Sequence, residues 1–388
     1  MPIGRVLLNL IIILAAAKVV SELFERFGQP AVLGELVAGV LIGGSLLGWV
    51  QLDDYIEVLA EIGVIILIFE VGLELELKEL MRMGRSSFLV AVIGVVLPFF
   101  LGYYCCKLLN VAGGSTEVAI FMGASITATS IGITARVLAD LGKLQLDESK
   151  IILGAAVMDD VMGLVILATV VGILQTHTVE VANILRLAGL AIVFLVGALV
   201  VGAVVTPHLM KLIDRMRVRG VIFVASFLWC LFLAFVAHEI GLATIVGAFA
   251  AGLVVEKATP QVSIGKLIRP VAAIFIPIFF VKMGMMVNLR AFLEPRTLLL
   301  AAVLTIMAII GKVVCGWGGL GKRLNKLSIG LGMIPRGEVG LIFASHGMVH
   351  SVITESVYSA IIVMVMVTTF ITPPLLKLSL THGERRLR

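Results

Sequence analysis

Residues 155–163 read AAVMDDVMG, placing two acids, Asp159 and Asp160, side by side in the middle of an apolar run. In a soluble protein one acid would cap a helix and the other would face water. Here the apolar character continues from Ile151 to Leu174, so neither acid lies near an end of the run. At about 1.5 Å per residue such a segment crosses roughly 30 Å of hydrocarbon as a helix. Strand-like alternation is absent, and a backbone in lipid must satisfy its hydrogen bonds within its own segment. The stretch therefore reads as a membrane-spanning helix with charge at its centre.

The rest of the 388-residue chain has the same character, being 60% hydrophobic and 14% charged. Soluble domains average about 45–50% apolar and about 25% charged residues. Breaks at charges, Gly and Pro divide the chain into thirteen expected spans, all helical. They lie near 5–27, 30–50, 55–75, 86–110, 116–139, 148–174, 180–207, 219–239, 241–256, 265–288, 296–320, 325–348 and 354–380. The first is expected to remain as a span, because its apolar character runs on through Val20 and only Arg5 precedes it. With the N-terminus outside, most Lys and Arg residues fall on inner loops, and the outer side holds only Arg5, Lys107, Arg186, Arg290 and Arg296. The positive-inside rule thus gives an N-out, C-in multi-pass protein of a cell (inner) membrane. The net charge of +5 follows these loops and implies no nucleic acid. Cys105, Cys106, Cys230 and Cys315 lie in apolar runs and read as buried thiols rather than disulfides or a metal site.

Thirteen spans divide as six, one and six, so the second six begin from the opposite face, as an inverted repeat requires. The halves show no obvious identity, so the count permits a repeat without proving it. The fifth span of each six is interrupted alike. One carries Thr127, Thr129, Ser130, Gly132 and Thr134 at its centre; the other carries Pro335, Arg336, Gly337 and Glu338 at mid-depth. Pro removes a backbone donor and Gly resists unwinding poorly. Broken helices at corresponding places in two halves point to a transporter's binding site.

Intramembrane charge is costly, about 2.5–3.5 kcal/mol per residue on the lenient insertion scale, and marks function by default. The candidates are Glu35, Glu70, Glu74, Asp159, Asp160, Lys312, Arg336 and Glu338. Adjacent helical residues point about 100° apart, so Asp159 and Asp160 serve different tasks. One acid pairs with a buried base, for which Lys312 is the natural partner; the other faces a cavity and binds a cation or a proton. Desolvation favours the neutral carboxyl and a nearby cation favours the carboxylate, so proton and metal ion compete for the same oxygens. A static bridge between helices is the other reading of Asp159 and Lys312. Two apparent motifs carry nothing. GWGGLGK, Gly316 to Lys322, lacks the Ser or Thr of a phosphate loop, and His346 with His350 has no third metal ligand. Gly39 and Gly43 form a GxxxG that fits packing within the chain as well as a dimer contact.

ILGAAVMDDVMGLVIL, TATSIGITARVL, IIGKVVCG and MIPRGEVGLI together resemble the core motifs of the cation/proton antiporter superfamily, and most of all its NapA-type bacterial sodium/proton antiporters. QPAVLGELVAGVLIGG and VGLELEL resemble the early spans of the same family, so the likeness runs through nearly the whole chain. It implies the NhaA/NapA-like fold and a homodimer embedded in lipid. Each protomer would have a dimerisation domain (1–80 and 216–292), a mobile core (81–178 and 293–388) and a linker helix (179–215), with elevator movement of the core. Asp160 would carry sodium and proton, with Thr129 and Ser130 helping to coordinate the ion. Asp159 would bridge to Lys312, and Arg336, Glu338 and Glu74 would support the crossing helices. No cofactor is implied beyond the transported ions, sodium and proton, with lithium or potassium as further cations. Lys312 with paired acids resembles the electrogenic branch. Potassium-selective Kef-type relatives usually carry Gln where this chain has Asp159. No nucleotide-binding regulatory domain is expected after the last span. Glu70 and Lys282 depart from the family pattern, and a pair between them is one expectation. A potassium/proton exchanger, a proton-coupled anion symporter on a similar scaffold and a non-transporting sensor are the rival readings.

Overall fold

The computed structural model describes residues 3–176, 181–213, 215–218, 220–258, 264–287, 289, 294–321, 324–349 and 352–387. Among them there is no strand, and the α-helices run in chain order as follows. The first half contains α1 Ile3–Arg26, α2 Ala31–Ile42, α3 Asp54–Glu74, α4 Leu77–Leu108, α5 Thr116–Ser125, α6 Ile131–Asp140 and α7 Asp147–Thr176. The long α8, Val181–Ile213, follows. The second half contains α9 Val221–Glu239, α10 Thr244–Ala258, α11 Ile264–Met285, α12 Pro295–Cys315, α13 Lys326–Gly332, α14 Glu338–Val349 and α15 Glu355–Leu387.

Each expected span overlaps one helix or one interrupted pair, with different bounds in places: α2 ends at Ile42, well short of residue 50, and α4 begins at Leu77 rather than near 86. Eight described helices are long and apolar enough to cross a membrane. Helix α3 is not among them, because Glu57, Glu61, Glu70 and Glu74 stud it. Helices α2, α10 and α14 are apolar but shorter. The two interruptions fall where the polar and Pro/Gly runs stand. Helix α5 stops at Ser125 and α6 resumes at Ile131; α13 stops at Gly332 and α14 resumes at Glu338. All four cysteines are free and buried.

The helices pack in two groups. Helices α1, α2, α3, α9, α10 and α11 pack on one another, with α2 and α10 laid on α11 and α3 respectively. Helices α4, α5, α7, α12, α13, α14 and α15 form the other group, centred on α4 against α7 and α12. Helix α6 lies between them, touching α2 and α3 on one side and α7 and α15 on the other. Helix α8 packs on α7, α9 and α10.

Glycine sets the closest approaches. A Cβ at Gly39 would strike the Val281 carbonyl of α11, and one at Gly284 would strike the Leu36 carbonyl of α2. Gly72 and Gly252 bring α3 and α10 together in the same way, against the carbonyls of Phe249 and Phe69. Gly43 also faces α11, at Met285, so the GxxxG of α2 serves packing within the chain. Gly284→Val should force α2 and α11 apart and cost about 1–3 kcal/mol. A thermal melt of the purified protein in detergent checks this, and an unchanged midpoint would count against so tight a contact.

Candidate functional site

The two interruptions are tied to each other rather than merely adjacent. The Ser130 N–H donates to the Pro335 carbonyl at 2.7 Å, and the Thr129 hydroxyl to the Met333 carbonyl at 3.1 Å. The Thr134 hydroxyl donates to the Gly332 carbonyl at 2.6 Å. Groups left over when each helix breaks are thus satisfied by the other break, as backbone away from water requires. Gly337 lies so close to Ser130 that a Cβ there would meet the serine side chain at 2.8 Å.

Arg336 completes the crossing. It is fully buried, and its Nη1 donates to the Thr127 and Ala128 carbonyls at 2.8 and 2.7 Å, while Nη2 reaches the Ala308 carbonyl at 3.4 Å. These carbonyls include those just past the C-terminal end of α5, where the peptide dipoles leave partial negative charge. The guanidinium therefore compensates a broken helix end. Thr369 of α15 fixes it from behind, its hydroxyl donating to the Arg336 carbonyl at 2.7 Å. No sequence feature singles out Thr369. Glu338 opens α14, and its side chain lies outside the described residues.

Helix α7 passes this crossing with its two acids turned to different neighbours. Asp159 is completely buried; its Oδ2 accepts the Thr129 N–H at 2.7 Å, and Lys312 Nζ of α12 donates to both carboxylate oxygens at 3.2 Å. Lys312 is itself completely buried, beside Gly94 of α4, whose missing side chain leaves room for the ammonium. Asp160, 2% exposed, lines a small cavity with Thr129, Ser130, Gly132 and Gly337. The N-terminal ends of α6 and α14 meet at this cavity, and helix N-termini favour negative charge. Val64, Ile245 and Phe279, from α3, α10 and α11, form its apolar wall. The divergence expected of adjacent helical acids is what the geometry has.

Two expectations need correction. Glu74 is not at the crossing: it ends α3, where its Oε1 lies 3.5 Å from Arg269. Glu70 and Lys282 do not pair. Glu70 lies 3.7 Å from the same Arg269, whereas Lys282 lies 3.3 Å from Glu57, nearer the other end of α3. Helix α3 carries these acids along its length, and the sequence does not reveal which base on α11 stands level with which.

A helical bundle with two mutually bonded broken helices, buried charge at their crossing and an acid facing a cavity has clear relatives. The family described as "Sodium/hydrogen exchanger, transmembrane" matches residues 10–380. The chain belongs to this exchanger family. Among its relatives are the high-affinity Na+/H+ antiporter NhaS3 of a Synechocystis strain and the Na+/H+–K+ antiporter GerN of Bacillus cereus. NhaS3 is 41% identical, with 97% of this chain and 90% of the relative covered. GerN is 34% identical, with 97% of each covered. The fold is also that of the sodium proton antiporter MjNhaP1 from Methanocaldococcus jannaschii, with a TM-score of 0.69, 16% identity and coverage of 100% of this chain and 99% of that one. Like other members of the exchanger family, the chain is a multi-pass membrane protein.

Proposed function

We propose that the chain is a secondary active antiporter that exchanges a monovalent cation, sodium before potassium, for protons. The observation that carries this reading is the split between two adjacent buried acids, one neutralised by Lys312 and one facing a cavity. Asp160 would hold a dehydrated cation when charged, assisted by the oxygens of Thr129 and Ser130, and a proton when not. An empty charged site would be penalised on crossing an apolar barrier by about 2.5–3.5 kcal/mol, so movement is coupled to occupancy by one ion or the other.

On this reading the group around α4, α7 and α12 is the mobile core. It would slide past the scaffold of α1–α3 and α9–α11 along the apolar face of Val64, Ile245 and Phe279. Helix α8 would be the link, and the scaffold would be the side on which two copies pair. The N-terminus would lie outside. An inverted repeat is supported by the pairing pattern: α2 on α11 matches α10 on α3, α1 on α2 matches α9 on α10, and α4 on α7 matches α12 on α15. Lys312 beside Asp159 would make the exchange electrogenic, moving more protons than sodium ions.

Purified protein in liposomes carrying an imposed pH gradient tests the reading. Sodium and lithium should dissipate the gradient, reported by a pH-sensitive dye, and potassium should do so only weakly. Equal response to potassium would favour the second reading, a potassium/proton exchanger, towards which GerN's description points. No response to any alkali cation would overturn both.

A further inference from the structure

The apolar wall of the Asp160 cavity has a polar rim. Glu61 of α3 precedes Val64 by one turn, Lys282 of α11 follows Phe279 by one turn, and Thr244 of α10 directly precedes Ile245. Side chains three apart on a helix share a face, so each rim group sits beside its wall residue. Bonds across the helices bring the rim together. The Thr244 hydroxyl donates to Glu61 Oε1 at 2.6 Å, and Lys282 Nζ lies 3.3 Å from Glu57, one turn further towards the start of α3. Glu57, Glu61 and Lys282 together carry one net negative charge, and Asp53 and Asp54 stand about a turn beyond them.

This rim faces the gap between the two helix groups. At the opposite end of the bundle the groups are tied together: Glu35 of α2 lies 3.8 Å from Arg136 of α6, which is also 3.0 Å from Asp140, and α15 packs on α2. At the rim, by contrast, α5 and α14 have no extended packing on α3, α10 or α11 among the described residues. Met286, one turn beyond Lys282, packs against the cluster that holds Phe121 of α5, Leu304 of α12 and Phe343 of α14, so this face of α11 looks towards the other group. The Glu57 side chain is 70% exposed, whereas that of Lys282 is 16% exposed. An ion reaching Asp160 from this end passes the ammonium and both carboxylates.

We infer that Lys282 is an affinity-determining residue, whose ammonium offsets one rim carboxylate and so limits how strongly cations are concentrated at this mouth of the path to Asp160. It touches no transported ion and acts through the local potential. A fixed charge about 8 Å from an entering monovalent ion changes its local concentration about twofold in water, and a cleft lined by one sign of charge enriches the opposite ion. Sodium and protons carry the same charge, so the rim enriches both alike. Removing the ammonium therefore lowers the apparent KM for sodium at alkaline pH, where protons do not compete for Asp160. At acid pH the two enrichments cancel and KM stays where it was. The inference rests on the exchange reading above, because it needs an ion that enters by this mouth.

Radioactive sodium uptake into right-side-out and everted vesicles, from a host without its own sodium exchangers, gives KM at each face of the membrane. At alkaline pH and low ionic strength, Lys282→Gln should lower KM about twofold at one face only, with kcat unchanged. Glu57→Gln should raise it about twofold at the same face. The double variant has the wild-type charge count and should return to the wild-type KM, and Lys282→Arg should never leave it. Adding choline chloride to about 1 M, where the Debye length is about 3 Å, should erase the differences. A mere tie between α3 and α11 would move both single variants the same way and leave the double with them; that result overturns the inference, as does a shift that is equal at both faces or persists at acid pH. Should Lys282→Gln fail to fold, Glu57→Gln and Lys282→Arg carry the test. Unchanged KM in the variants of a protein that exchanges sodium defeats the inference and leaves the exchange reading intact. A wild type that takes up no sodium against protons defeats that reading, and the inference falls with it.

Discussion

Asp160→Asn should abolish sodium-driven proton movement while leaving the fold intact. The asparagine keeps the size of the side chain, so the cavity lined by Thr129, Ser130 and Gly132 keeps its shape. What disappears is the charge. A carboxylate about 4 Å from a monovalent cation, at an effective dielectric near 20, contributes about 4 kcal/mol. Its loss corresponds to about a thousandfold in cation affinity. An amide also takes up no proton in the working range, so the other half of the exchange is lost with the first. Radioactive sodium binding and dye-reported exchange in liposomes measure the two losses separately. Should the variant retain a tenth or more of wild-type exchange, the carrier must be sought elsewhere, with Glu338 foremost. Glu70 and Glu74 are weaker alternatives, because both stand beside Arg269 away from the crossing.

The sequence shows the helices and the site better than it shows the partners of the charges. Interruptions at 126–130 and 333–337 are legible because Pro, Gly and hydroxyl residues in an apolar run have few other uses. The different surroundings of Asp159 and Asp160 are legible because helical geometry forces adjacent side chains apart. By contrast, Glu70 and Lys282 look like an isolated pair only while the chain is read as a line. Their actual partners, Arg269 and Glu57, depend on how α3 and α11 align along the bundle. Glu35 is visible as a charge in an apolar helix, but Arg136 and Asp140 lie about a hundred residues away, and nothing local joins them.

The inverted repeat proposed above would be hard to see in the sequence for a related reason. GELVAGV at 34–40 and GAFAAGL at 247–253 share little beyond two glycines at the same spacing. Those glycines do equivalent work. Gly34 and Gly247 admit the preceding helix, at Ser21 and Leu233, while Gly39 and Gly252 admit a helix from the other half. Only positions where backbones nearly touch are constrained to glycine, and the residues between them are free to vary with whatever they face. Overall identity therefore understates a likeness confined to contact points.

Lys312→Gln carries the second large expected effect, because it separates a working base from a structural one. Lys312 and Asp159 are both completely buried at 3.2 Å, and the substitution leaves the carboxylate with the Thr129 N–H and, as nearby positive charge, the Arg336 guanidinium but no paired base. Removing one partner of a buried pair costs about 3–5 kcal/mol. The variant should therefore show a lowered melting temperature. Asp159→Asn combined with Lys312→Gln should recover part of the loss, since neither charge then remains alone. The functional consequence differs from that of Asp160→Asn. If the ammonium gives up and regains a proton in each cycle, its removal takes one charge out of the transported balance. Exchange should then persist and lose its response to membrane potential, which for one elementary charge is about 2.3 kcal/mol per 100 mV. Liposomes clamped with valinomycin at zero and at negative potential measure that response directly. A variant that melts early yet keeps the wild-type voltage response would make Lys312 a strut, and the second transported proton would then have to sit on another group, because Asp160 alone exchanges one cation for one proton and moves no net charge. A variant that melts early and has become indifferent to voltage would place the second transported proton on the lysine, and the double substitution should then recover part of the stability without regaining the voltage response.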